Sequence, residues 1–327
     1  MTLLFGVFLL TLLVITAVAI IHTDNLFVAV MLTGIFSLML AANFFILDAP
    51  DVALTEAAIG AGISTVLFLG ALALTVERER PGRANIPALM VVVTTALIII
   101  YATFDKPRFG DPNSPAHLHI APWYLEMTPQ LIDVPNAVTA VLGSFRGYDT
   151  FGEVFVVFTA GIGVLFIFGA RTGRSVDAVK NASKSNQGLR HYLIPRVVGR
   201  LLIPFILLFG LYVQFHGDYG PGGGFQAGAL VATSVILYAL LEGEKQALRV
   251  LSRRVLLYLA ASGALIYGLV GVAGILMGGT FLDYSTLAAN PVSGQHIGIL
   301  LIEAGVGITV TGVLLSIFHA FADRGKN

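Results

Sequence analysis

Three glutamates, Glu56, Glu153 and Glu303, sit inside long apolar runs of this sequence. A carboxylate in a lipid-facing helix costs about 2.5–3.5 kcal/mol on insertion scales, so a chain that keeps one aims it at a neighbouring helix or a hydrated path. Burial makes a carboxyl group hold its proton more tightly, and loss of that proton creates a site for a cation. Acids placed this way point to the handling of protons and cations within a membrane.

Each glutamate has its own surroundings. Glu56 follows Asp48-Ala49-Pro50-Asp51 and precedes Gly60 and Gly62. Asp51 suits the first turn of a helix, where the helix dipole favours a negative charge, and Pro50 is tolerated there because its missing N–H would be unpaired. Glu56 lies about one and a half turns deeper. The glycines after it let a neighbouring backbone approach or the helix become locally irregular. The plainer reading of Glu56 is a side chain that snorkels to the interface or pairs with an arginine of another subunit.

Glu153 closes the stretch Phe145-Arg146-Gly147-Tyr148-Asp149-Thr150-Phe151-Gly152-Glu153. Arg146 and Asp149 are spaced to pair on a helical turn, and Glu153 lies one turn beyond Asp149 on the same face. The three fit a ladder that passes protons by way of water. They fit equally well a capped helix start with an interfacial ion pair worth under ~1 kcal/mol. Glu303 stands beside Gly305, Thr309 and Gly312, a small-residue face for close helix contact, which Gly263, Gly268, Gly271, Gly274 and Gly278 repeat.

A fourth constellation has no buried acid. In His216-Gly217-Asp218-Tyr219-Gly220-Pro221-Gly222-Gly223-Gly224-Phe225-Gln226, three adjacent glycines after a proline require an abrupt turn with backbone close to something. No Lys-Ser or Lys-Thr follows, so it is not a nucleotide-binding loop. A tight hairpin against neighbouring helices or another subunit explains Pro221, Gly222, Gly223, Gly224 and His216 at least as well as ion binding.

The elements that position these residues are membrane helices. Of the 327 residues 56% are hydrophobic and 12% charged, more apolar surface than a soluble domain needs. Net charge is zero with no basic tract, which removes the footprint of nucleic-acid binding. Cysteine is absent, excluding disulfides and thiolate-ligated metals. The histidines lack metal spacing, with His117 and His119 assigned to a solvated loop. No flavin, quinone or haem signature and no catalytic triad is visible, so neither a cofactor nor an enzyme activity is expected.

Spans of about 20 apolar residues are predicted at Leu3–Ile21, Leu26–Leu47, Val52–Val76, Ile86–Phe104, Phe151–Ala170, Leu193–Phe215, Phe225–Leu241, Val250–Met277 and Gln295–Phe321. The fold class is therefore all-α and polytopic, with about nine spans. The first is read as a retained span, because it lacks a basic leader and a cleavage site. Arg78, Arg80 and Arg83, then Arg171, Arg174, Lys180, Lys184 and Arg190, then Lys245, Arg249, Arg253 and Arg254, and finally Arg324 and Lys326 mark alternate connections. Those around Asp48–Asp51, His216–Gly224 and Gly279–Gly294 carry no Lys or Arg. This alternation predicts the N-terminus outside and the C-terminus inside.

These motifs resemble a known family. Ala49–Gly60 resembles the MbhD-type domain, and Asn136–Gly163 is similar to the MbhE-type domain. Pro221–Gly228 with the Glu303 helix resembles the MnhB-type subunit of Mrp-type multisubunit Na+/H+ antiporters. The resemblance implies an MbhD-like three-helix domain at 1–80, an MbhE-like two-helix domain with a long outer loop at 81–175, an inner linker at 176–192 and an MnhB-like four-helix domain at 193–327. It implies a membrane subunit contributing Glu56, Glu153, Glu303, Asp51, Asp149 and Arg146 to translocation of H+ or Na+ in the lipid bilayer of the cell's inner (plasma) membrane. The partners implied are other Mrp subunits of the C, D, E, F and G types, together with a separate large antiporter-like subunit. It also implies kinship of the first five spans with a complex I membrane subunit whose third helix is irregular. A non-conducting scaffold, or the Mrp module of a membrane-bound hydrogenase or respiratory complex, remains the alternative.

Overall fold

The computed structural model describes residues 2–72, 78–79, 85–108, 110–169 and 193–324. The expected inner linker at 176–192 and the basic residues Arg80, Arg83, Arg171, Arg174, Lys180, Lys184, Arg190 and Lys326 lie outside the described residues. Among those described, the chain is helical and contains nine helices long and apolar enough to cross a membrane.

The first unit is a hairpin of α1 (Thr2–His22) and α2 (Leu26–Ile46), followed by a third span built in three stretches. These are α3 (Pro50–Thr55), a π-helical segment (Glu56–Ile63) and α4 (Ser64–Leu72). The Asn25 side chain caps α2 by accepting from the Phe27 and Val28 amides. Next come α5 (Ile86–Thr103), capped by Asn85, and a helical excursion outside the spans. That excursion, a π-helical turn (Ala116–Ile120) running into α6 (Ala121–Leu131), replaces the expected loop. Pro115 precedes the turn, where a missing N–H costs nothing, and Pro122 follows at the start of α6. His117 and His119 are therefore exposed helical residues.

The chain returns through α7 (Ala137–Ala140) and a π-helical turn (Val141–Phe145) to α8 (Gly147–Gly169). The final part holds α9 (Leu193–His216), α10 (Gly224–Glu242), the short α11 (Glu244–Val250), α12 (Arg253–Leu276) and the long α13 (Pro291–Arg324). Helix α8 starts earlier than predicted because Tyr267 donates a 2.8 Å hydrogen bond to the Gly147 carbonyl, fixing the turn there.

Helix α13 is the axis of the bundle, with α8, α10 and α12 packed around it. Of the glycines read from the sequence as packing faces, Gly263 of α12 and Gly305 of α13 meet here, whereas Gly268 meets Phe151, Gly271 meets Phe281 and Gly274 meets Thr280 and Asp283. Gly263 of α12 lies against the Gly305 carbonyl and Thr309, and Thr309 Oγ1 donates to the Ala260 carbonyl at 3.1 Å. On the other side Gly228 of α10 opposes Gly307, with Thr311 Oγ1 donating to the Gly228 carbonyl at 3.1 Å. Without a hydrophobic driving force between helices in lipid, such close backbone contact and interhelical hydrogen bonding supply the cohesion. Ile63 of the third span joins Ala229, Leu256 and Leu315 in one core, so the first unit is packed onto the bundle.

A Gly263→Val substitution places branched carbons where the Gly305 carbonyl and Thr309 already lie. Overpacking of this kind costs about 1–3 kcal/mol. The variant is expected to lower the thermal midpoint of the detergent-solubilised chain, followed by size-exclusion profile after heating. Gly268→Ala, which meets only the Phe151 ring at ordinary van der Waals distance, should leave the midpoint unchanged.

Candidate functional site

The glycine-rich turn is where the site is built. Gly223 adopts a φ of 114°, a conformation that disfavours any side chain. A Cβ at Gly224 would overlap the Glu303 carbonyl oxygen. The turn is thus seated directly on α13 at the level of Glu303. Gly217 and Gly223 face the two carboxylate oxygens, at 3.2 and 3.4 Å from where their own Cβ atoms would stand. His216 stacks on Tyr212 and lies over Gly220, folding the turn back on α9.

Asn136 ties this turn to the rest of the molecule. Its Nδ2 donates to the carbonyls of Gly217 at 3.1 Å and Gly220 at 2.9 Å, and it approaches Asp51 Oδ1 at 3.3 Å. The Asn136 amide donates to the Asp218 carbonyl at 2.9 Å, while Asn136 Oδ1 caps α7. Beside it, buried Thr139 donates to the Gly217 carbonyl at 2.7 Å. Gln226 Nε2 donates to Thr55 Oγ1 at 2.7 Å, joining α10 to α3. Segments far apart in sequence therefore meet at one end of the bundle.

Between them lies a cavity of about 250 Å³, lined by Asp51, Thr55, Thr139, Gly222–Gly224, Gln226, Glu303 and Thr309 among others, with Glu153 at its exposed side. Asp51 and Asp218 stand within electrostatic range of Glu303, and Asp149 within range of Glu153. None of the lining residues is Lys, Arg or His. Acids sharing a cavity without a fixed cation can be balanced by protons or mobile cations.

The remaining residues singled out in the sequence lie elsewhere. Glu56 does not line the cavity. Its carboxylate lies over Gly60 on the side facing α2, beside buried Ser37, inside the π-helical segment. Arg146 and Asp149 do pair, but both are well exposed. Pro221 shapes the turn without lining the cavity. Gln226 and Asn136 fall within motifs quoted above without a role assigned to them, and Thr139 carries no signal of its own, because a single hydroxyl is too common to mark a site.

With this geometry in hand, similarity to known proteins is informative. Residues 194–316 match the family described as the domain related to the MnhB subunit of Na+/H+ antiporters, and residues 11–77 match MbhD, the D-type subunit of MBH. The chain is 32% identical over 130 residues to a putative antiporter subunit mnhB2 of Staphylococcus aureus, covering 38% of this chain and 90% of that one. It is 25% identical to a probable K+/H+ antiporter A/B subunit of Rhizobium meliloti, covering 90% of this chain and 32% of that one. Its fold is similar to a chain in the Mrp complex of a Dietzia species, with a TM-score of 0.74, 23% identity, and coverage of 96% of this chain and 34% of that one. It is also similar to a chain of a membrane-bound sulfane sulfur reductase, an archaeal respiratory membrane complex, with a TM-score of 0.51, 26% identity, and coverage of 71% and 97%.

The chain belongs to the MnhB-related family of Mrp-type antiporter subunits, here joined to an MbhD region, and is a multi-pass membrane protein. It spans about a third of the length of the Rhizobium protein and of the Dietzia chain.

The turn itself carries a pH-dependent prediction. Burial pushes the Asp218 carboxyl group above the ordinary carboxylate range, and His296 opposes the shift. A raised carboxyl value means that folding favours the protonated acid. That contribution is full below the unfolded-state value and is lost as pH rises through the folded-state one. Asp218→Asn removes the cost of the buried charge. It should raise the thermal midpoint at neutral pH, with the gap over wild type narrowing toward about pH 4. A gap that widens on acidification would contradict this assignment.

Proposed function

We propose that this chain is a membrane subunit of a multisubunit Mrp-type cation/proton antiporter, with Asp51, Glu153 and Glu303 forming an exchange station for H+ and Na+. One observation carries the reading: an acid-lined cavity among membrane-spanning helices with no fixed positive charge in its wall. A proton bound there neutralises an acid, and its departure leaves an anionic site with carbonyl and hydroxyl oxygens nearby, which suits a hard monovalent cation. Glu56, on the α2 side, is a second station in this reading, and the Arg146–Asp149 pair orders the entrance to α8.

The reading extends to organisation. Residues 1–80 act as an MbhD-like unit, 81–175 as an MbhE-like unit and 193–327 as an MnhB-like unit, joined through the linker at 176–192. The N-terminus lies outside and the C-terminus inside the plasma membrane. The smaller Mrp-type subunits surround the chain, together with a large antiporter-like one. The likeness to the respiratory reductase favours a second reading, in which the same station belongs to a redox-driven pump. Exchange that requires an electron donor would select it.

Glu303→Gln keeps the size of the side chain and removes its charge. Cation-dependent proton exchange in everted vesicles should fall by about tenfold or more, with the complex still assembled on a native gel. Glu56→Gln, measured in parallel, should also slow exchange. An unchanged rate in assembled Glu303→Gln complexes would leave a packing subunit without a transport role.

A further inference from the structure

The end of the bundle opposite the cavity holds a second group of buried ionisable side chains. Helix α10 ends at Glu242, Gly243 takes a φ of 93°, and α11 begins at Glu244. Both glutamates are buried. Arg200 of α9 donates through Nε to Glu242 Oε1 at 2.5 Å, and Arg196 Nε lies 3.8 Å from the same atom. Arg253 of α12 stands 3.7 Å from Glu244 Oε1. From α13, His319 brings Nδ1 to 3.5 Å from that Glu244 oxygen.

His319 differs from the arginines of this group. Its side chain is 3% exposed, and among the described residues neither ring nitrogen has a hydrogen-bond partner. Arginine stays charged under all ordinary conditions, whereas histidine changes charge near neutrality. Buried polar nitrogens left unpaired are costly. A proton on Nδ1 converts the 3.5 Å approach to Glu244 into a charge-assisted hydrogen bond by a small movement of the ring.

Phe318 packs beside the imidazole, and α4 meets α13 here through Gly70 and Phe321. The described inner parts of α4 and α8 carry no ionisable residue. Lys245 and Arg249 of α11 and Arg254 of α12 are exposed.

We propose that His319 and Glu244 form a proton-binding site at the Lys- and Arg-rich end of the bundle, built on the same helix that carries Glu303. The ligand is a proton taken from the aqueous phase at that end. Its binding strengthens the tie between α13 and α11, and its loss weakens that tie. The role of this site in transport rests on the exchange reading given above, whereas the protonation does not.

The test uses the assembled complex. Exchange is measured across a pH series in everted vesicles for wild type, His319→Gln and Glu244→Gln. His319→Gln should flatten the pH profile several-fold while leaving the cation KM at high pH near the wild-type value. In nitrogen NMR spectra of histidine-labelled complex, one imidazole signal absent from His319→Gln should titrate in wild type and shift its titration in Glu244→Gln. His319→Asn serves in place of Gln if the larger amide disrupts assembly. A wild-type pH profile in the His319 variant, together with a His319 signal that does not titrate, overturns the proposal. If Glu303→Gln stops exchange in that same experiment, the exchange reading survives. Absence of exchange in wild type removes the exchange reading, and the His319 titration alone then decides whether the proton site exists.

Discussion

The contact between the glycine-rich turn and the backbone of α13 at Glu303 is the constraint on which the rest of the site depends. Gly224 has no room for a side chain because the Glu303 carbonyl occupies that space. Only this close approach puts peptide groups of the turn beside the carboxylate, and it brings Gln226 at the start of α10 within reach of Thr55 on α3. Asn136 then holds the turn from the opposite side. A carboxylate at this depth with its surroundings left loose would draw water and drift toward a partner. Here its wall is set by backbone, which cannot swing away as a side chain can.

Two different solutions to buried charge coexist in the chain. At one end, Glu242 is matched with arginines from α9, the arrangement expected when an acid serves as a structural tie. At the other, Asp51, Glu153 and Glu303 share a cavity whose wall offers hydroxyls, amides and carbonyls. The contrast within one molecule is what makes the second set look like a site for exchangeable charge.

The spans were legible in the sequence because about 20 apolar residues in a row have few other destinations. Glu153 and Glu303 were legible for the same reason, since each interrupts such a run. What the sequence did not reveal was which acids meet. Asp51 and Glu56 look like one constellation, yet five residues of helix turn the chain by about 140°, so they face different neighbours. The π-helical segment beginning at Glu56 changes the register further. The roles of Asn136, Thr139 and Gln226 were not legible for a different reason. Their importance comes from hydrogen bonds across 78 to 171 positions of chain, which no local pattern encodes.

Helix α5 differs from every other span in having no buried residue along its 18 positions. At 1.5 Å per residue it reaches about 27 Å, slightly less than a typical hydrocarbon thickness. A rod of that length with no buried residue among those described takes its tilt from whatever surrounds it. Thin and thick bilayers would therefore set it at different angles, and lipid composition acquires mechanical leverage on the connection that leads to α6 and Asn136.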